Sequence, residues 1–180
     1  NIAHQAIYQW ANEILGDGVI IDIGSELGVG LHCLSSKNRH VIGLDIQLEE
    51  LIFSKIYNNS LQNYYICADG TMIPLSNDFC NGLCLINVLH LVNNPIVILA
   101  ECWRILSPKG LLIVTIPIDY NLPNEWRIPS EKEHLKNLLK MVFPYVVFPF
   151  ITDSYEKVSA FFQKQDEANL LTAVCRKDIL

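Results

Sequence analysis

The chain has 180 residues, 51% of them hydrophobic and 18% charged, and 13 Lys and Arg against 19 Asp and Glu give a formal net charge of -6. One domain of this length buries most of its apolar surface without metals or disulfides, and the expectation is a single domain over 1–180. The composition excludes a disordered or fibrous chain, and the acidic balance argues against a duplex-binding face, so no nucleic acid is expected as a partner.

No apolar run reaches the roughly 18 to 20 residues of a membrane span. The nearest candidates, 83–92 and 141–152, are interrupted by Asn87 and His90 in one and by Pro144 and Pro149 in the other. No basic stretch followed by an apolar one marks a signal peptide. Six cysteines occur without a C-x-x-C pair, and all but Cys80 lie in or beside apolar runs. The expectation is buried, reduced thiols in a cytoplasmic protein, with no metal site.

The first element is a helix over 2–15, with Ile7, Trp10, Ala11 and Ile14 on one face. After Gly16-Asp17-Gly18 comes an apolar strand, Val19–Ile23, broken only by Asp22, and then a glycine-rich turn from Gly24 to Gly30 and a short helix near 31–35. A second strand, Val41–Leu44, ends at Asp45, and a helix over 47–57 follows with Leu48, Leu51, Ile52 and Ile56 directed inward. The third strand, Tyr64–Ala68, ends at Asp69-Gly70, and the fourth spans Gly82–Asn87.

Asn94 is a candidate N-cap with Pro95 in the first turn of a helix to about Leu106, closed by Ser107-Pro108-Lys109-Gly110. The fifth strand, Leu111–Ile116, has no alternation and should be covered on both faces. Ser130 to Glu133 reads as a capping box opening a helix to about Val142. Two strand-like runs, 145–151 and 170–175, finish the chain and are expected to form an antiparallel edge pair. The pattern predicts an α/β fold: a Rossmann-like, doubly wound, seven-stranded and mostly parallel sheet between helix layers.

In such a sheet, ligands bind at the carboxyl ends of the strands near the topological switch point. Here those ends carry Asp22, the glycine turn, Asp45 and Asp69. Glycine turns let a ligand approach backbone N–H groups, and a carboxylate after the second strand suits a pair of ribose hydroxyls.

The run from Asp22-Ile23-Gly24 to Gly30, then Gly43-Leu44-Asp45-Ile46, Ala68-Asp69-Gly70, Asn87 to His90 and Arg104 to Leu111 resembles a class I S-adenosylmethionine-dependent methyltransferase. It is most similar to the small-molecule branch typified by ubiquinone and menaquinone biosynthesis enzymes. The resemblance implies S-adenosyl-L-methionine as cofactor, S-adenosyl-L-homocysteine as product, and a small-molecule acceptor methylated on O, N or C. It implies that Gly24 and Gly28 pass close to the methionine part, Asp22 helps to hold the ammonium, and Asp45 binds the ribose. It also implies that Ile46 packs on the adenine, Asp69 accepts from the adenine amine, Gly70 sits beside the ring, and Asn87 lies near the methyl group.

His90 is the candidate general base, with His134 and Tyr120 as weaker ones. Tyr120 and Trp126 are candidates to stack on the acceptor. Glu26 departs from the family, which usually has glycine there; a carboxylate about 5 Å from the cofactor's own would cost roughly 3 kcal/mol at an effective dielectric of about 20, so Glu26 is expected to point to solvent, to contact the ammonium, or to mark a degraded site. Glu26 and a short acceptor region motivate the alternative, a catalytically silent domain of the same fold. A nicotinamide-binding domain is disfavoured, because Gly28-Val29-Gly30-Leu31-His32-Cys33 lacks the last glycine or alanine of that fingerprint. The chain opens on Asn1 rather than Met, as expected of a fragment; residues before Asn1, or a homodimer, are the expected ways of capping the acceptor side.

Overall fold

The computed structural model describes residues 2–58, 62–117, 132–149 and 170–178. Strands β1 (Gly18–Ile23), β2 (Arg39–Asp45), β3 (Asn63–Cys67), β4 (Cys80–Ile86), β5 (Leu106–Pro117), β6 (Tyr145–Val147) and β7 (Leu170–Arg176) form one sheet in the order β3-β2-β1-β4-β5-β7-β6. The first five are parallel, and β7 runs antiparallel between β5 and β6. The strand order reverses between β1 and β4. The expected fold class and antiparallel edge pair are both present.

Alternate residues of the central strands feed two cores. Ile21, Leu83, Leu85, Leu112 and Val114 face helix α4 (Pro95–Ile105), helix α5 (Lys132–Lys140) and Phe143. Ile20, Val41, Cys84 and Ile113 face helix α1 (Ile2–Ile14) and the short helix α2 (Val29–Leu34). Burial on both faces explains why these strands read as unbroken apolar runs.

The expected packing is corrected for α3 and for the cysteines. In α1 the expected face holds: Ile7 and Ala11 are buried, the half-buried Trp10 and Ile14 pack against the same core, and Ala6, Tyr8 and Leu15 are buried as well. Tyr8 goes inside because its hydroxyl finds a partner there. In helix α3 (Leu48–Tyr57), only Leu51 and Ser54 are buried; Leu48, Ile52 and Ile56 are exposed, because the short edge strand β3 offers too little sheet to cover a wide apolar face. Among the cysteines, Cys67 is exposed and Cys33 half-buried, and all six are free thiols.

Strand β5 begins five residues earlier than expected. Leu106 pairs with Cys80 and Leu111 with Gly82, so the Ser107–Gly110 turn loops out within the strand, with Lys109 in the left-handed region at φ 68°. Asn94 occupies the N-cap position of α4 with no side-chain capping bond; Pro95 lies in the first turn as expected. The proposed capping residues Ser130 and Glu131 lie outside the described residues.

Candidate active site

The carboxyl end of β1 turns sharply through Gly24 (φ 74°), Glu26 (φ 43°) and Gly28 (φ 82°). A side chain at Gly24 would run into Val88, and one at Gly28 into Ser54 of α3. The N–H groups of Gly24 and Ser25 both donate to the Leu44 carbonyl, at 2.7 and 3.2 Å, so the loop hangs on β2. The Asn58 amide, at the end of α3, donates to the Leu27 carbonyl at 3.1 Å and steadies the loop from outside.

Asp45 ends β2 and is buried. Its Oδ2 accepts the Glu26 backbone N–H at 2.9 Å, and its Oδ1 accepts the Gln47 N–H at 3.0 Å. Two oxygens offer about four acceptor directions, so two remain for a ligand. Asp69 is exposed; its Oδ1 accepts from the Thr71 N–H at 2.8 Å and the Thr71 hydroxyl at 2.7 Å, which holds its carboxyl below the usual range. Asn87 takes φ 55° just after β4, where its N–H donates to the Thr115 carbonyl at 3.0 Å and its Oδ1 accepts from the Thr115 hydroxyl at 3.0 Å. The neighbouring strand β5 thus fixes this unusual backbone.

These ends surround a cavity of about 570 Å³, within the range of small-ligand sites. Gly24, Asp45, Ile46, Asp69, Gly70 and Asn87 all line it, as do the unforeseen Thr71, Val88, Leu91, Val92, Asn93, Asn94 and Val97. Ile46, with 65% of its surface exposed, is held out in the opening rather than packed in the core. A second cavity of about 220 Å³ shares Gly24 and Glu26 with the first and is bounded further by Tyr8, Ser25, Leu27, Val29, Gly30 and Ile86. The Asn93-Asn94 pair was a usable signal for the first wall, since polar residues after a fourth strand face the same opening as Asp45 and Asp69.

Asp22 and Gly28 line neither cavity. Asp22 is fully buried, with Oδ1 accepting from the Tyr8 hydroxyl at 2.9 Å and Oδ2 without a partner among the described residues. Burial pushes its carboxyl up to about 8; the Tyr8 bond opposes this, and the charges of Asp45 and Glu26 add to it. His90, in a 3-10 turn (Leu89–Leu91), is 4% exposed and is absent from the described walls of either cavity. Burial lowers its imidazole to about 4. His134 is exposed on α5, and Tyr120 and Trp126 lie outside the described residues.

A family model for a methyltransferase domain matches residues 21–114, from β1 through β5. The chain belongs to this methyltransferase domain family. The class is that of S-adenosylmethionine-dependent enzymes, as the loop, Asp45 and Asp69 had implied. A curated relative, the malonyl-[acyl-carrier protein] O-methyltransferase of Marinomonas sp. (strain MWYL1), is 26% identical over 123 residues. The match takes in 65% of this chain and 46% of that enzyme, so the chain spans just under half of its relative's length.

Among solved structures, a chain from the complex of the Haloferax volcanii Trm112 methyltransferase activator with a methyltransferase superposes with a TM-score of 0.77 at 18% identity, covering 98% of this chain and 91% of that one. The Haemonchus contortus phosphoethanolamine N-methyltransferase 2, in complex with phosphomonomethylethanolamine and S-adenosylhomocysteine, superposes at 0.74 with 13% identity, covering 98% and 53%. At these identities the solved structures speak for the fold.

The residues around the larger cavity fit the cofactor of this class. A carboxylate with free acceptor directions faces a ligand-sized cavity, and the turn beside it has no room for side chains at Gly24 and Gly28. Glu26 leaves the turn intact: its backbone holds the left-handed conformation that glycine adopts readily, and its side chain is exposed. The silent-domain alternative is therefore not favoured.

Proposed function

We propose that this domain transfers a methyl group from S-adenosylmethionine to an O, N or C atom of a small molecule. The observation that carries this reading is Asp45, held by two backbone N–H groups at the mouth of the larger cavity. In this reading Asp45 accepts from both ribose hydroxyls, Ile46 covers one adenine face, and Asp69 and Gly70 border the ring. The methionine part reaches past Gly24 toward the smaller cavity, where Tyr8 and the buried Asp22 stand behind it.

The bound cofactor supplies an already activated methyl, so the protein's work is orientation and exclusion of water. Asn87, fixed by Thr115, and the neutral wall of Leu91, Val92 and Asn93 border the remaining space, which we assign to the acceptor. The reading routes no proton through His90. A small acceptor agrees with the named substrate of the Marinomonas relative, malonyl carried on a protein.

Calorimetric titration tests the reading. S-adenosylmethionine and S-adenosylhomocysteine should both bind, and Asp45→Ala should weaken each by tenfold or more, as loss of charge-assisted bonds of about 1.5–3 kcal/mol requires. An unchanged dissociation constant in Asp45→Ala would place the ribose elsewhere.

A further inference from the structure

Among the described residues that line the two cavities there is no Lys, Arg or His, whereas Glu26, Asp45 and Asp69 are all acidic. Asp45 and Asp69 have backbone or side-chain donors to satisfy them. Glu26 lines both cavities, and its exposed carboxylate has no hydrogen bond or ion pair among the described residues. Its main chain cannot drift, because the N–H is bound to Asp45 at 2.9 Å. Its charge is felt inside the protein as well, contributing to the upward shifts of Asp22 and Tyr8.

We propose that Glu26 makes the site charge-selective, holding the cationic sulfonium donor in preference to the neutral thioether product. This rests on the cofactor reading above. The donor carries a sulfonium, an ammonium and a carboxylate, for a net charge of +1; the product keeps only the last two and is neutral overall. Methyl transfer takes the methyl carbon from sulfur to the acceptor's lone pair, leaves the S–C bonding electrons on sulfur, and passes the acceptor's proton to solvent. The two ligands are otherwise nearly the same shape, so a fixed negative charge at the cavity boundary separates them by electrostatics.

A unit charge about 6 Å away changes an affinity roughly threefold at the dielectric of water and roughly a hundredfold at that of a protein surface, and the exposure of Glu26 sets its effect toward the lower end. The same charge then releases the product once the sulfonium is gone. The glycine that the family usually carries at this position would bring no such preference.

The test is calorimetric titration of wild-type, Glu26→Gln and Glu26→Gly protein with S-adenosylmethionine and S-adenosylhomocysteine at low and at physiological salt. Glycine adopts φ 43° without strain and glutamine keeps the side chain's size, so both variants retain the loop. The wild-type preference for the donor should fall three- to tenfold in both variants. It should also shrink with salt in the wild type more than in the variants. Retained binding of both ligands with an unmoved ratio, or tighter donor binding in Glu26→Gln, would overturn this inference alone. Wild-type protein that binds neither ligand would overturn the cofactor reading and this inference with it.

Discussion

Asp22 is fully buried, with one oxygen on the Tyr8 hydroxyl and no described partner for the other, and its carboxyl titrates near 8 because burial penalises the charged form. A folded-state value above the unfolded one means that this group's contribution to stability is complete below about 4 and is lost as pH rises through 8. His90 has the opposite sign: its imidazole is lowered to about 4 by burial, so its contribution is present above about 6.5 and is lost as pH falls. Stability of the ligand-free protein should therefore decline between pH 6.5 and 8 by on the order of 2 kcal/mol, several degrees in Tm. Asp22→Asn should flatten that decline in a thermal melt, and a slope equal to the wild type's would disprove the assignment. The residue's importance was legible in the sequence as a lone acid in an apolar strand. Its partner was not, since nothing local tells that Tyr8 of α1 turns its hydroxyl into the sheet.

At the scale of elements, α4 does more than cover β4. Glu101 and Arg104, on one face of it, hold the segment that follows Asp69 and Thr71. Glu101 accepts the Ile73 N–H at 2.7 Å, and Arg104 donates to the Ile73 and Leu75 carbonyls at 2.8 and 2.6 Å and to Glu101 itself. Arg104→Met should lower stability by about 1–3 kcal/mol in urea unfolding and weaken S-adenosylmethionine binding through the loosened Asp69 segment. Lys should not restore either, because a single ammonium cannot reproduce a planar fork reaching several oxygens. Unchanged unfolding in Arg104→Met would show the clamp to be ornamental. Element types followed from pattern, because central strands covered on both faces are continuous in Val, Ile and Leu. Boundaries failed where a local signal had a second use: Ser107–Gly110 is a helix stop by composition, yet the strand ladder closes around it. The inward face of α3 failed for another reason, since periodicity marks an apolar stripe and cannot say whether anything is there to cover it.

For the whole molecule, a ligand that binds only the folded state stabilises it by mass action. At a hundredfold excess over the dissociation constant, S-adenosylmethionine should add about 2.7 kcal/mol, which raises Tm by roughly 5–10 °C. The dinucleotide NAD should leave Tm unchanged; an equal rise with NAD would contradict the proposed function. Asp45, Asp69 and Asn87 were readable as residues of one cavity because they lie at strand ends spaced along the sequence, whereas the apolar Leu91 and Val97 join its wall only through the sheet's topology.

Three polar side chains brace the rim of the sheet opposite the cavity. Arg39, at the start of β2, binds carbonyls of Gly16, Leu15 and Leu34 together with Asn12; Asn81, at the start of β4, accepts from the Val19 N–H; and Lys177, after β7, pairs with Asp78 at 2.6 Å and binds the Trp103 carbonyl. All three lie at the rim opposite the cavity. The rim opposite the cavity is thus cross-braced, and the Leu91–Asn94 wall of the cavity, whose Leu91, Asn93 and Asn94 are exposed, takes no part in these three braces. Selection can rework the acceptor wall around Leu91–Asn94 while drawing little on the interactions that keep the chain folded, which makes this scaffold one on which new acceptor preferences can arise by small steps.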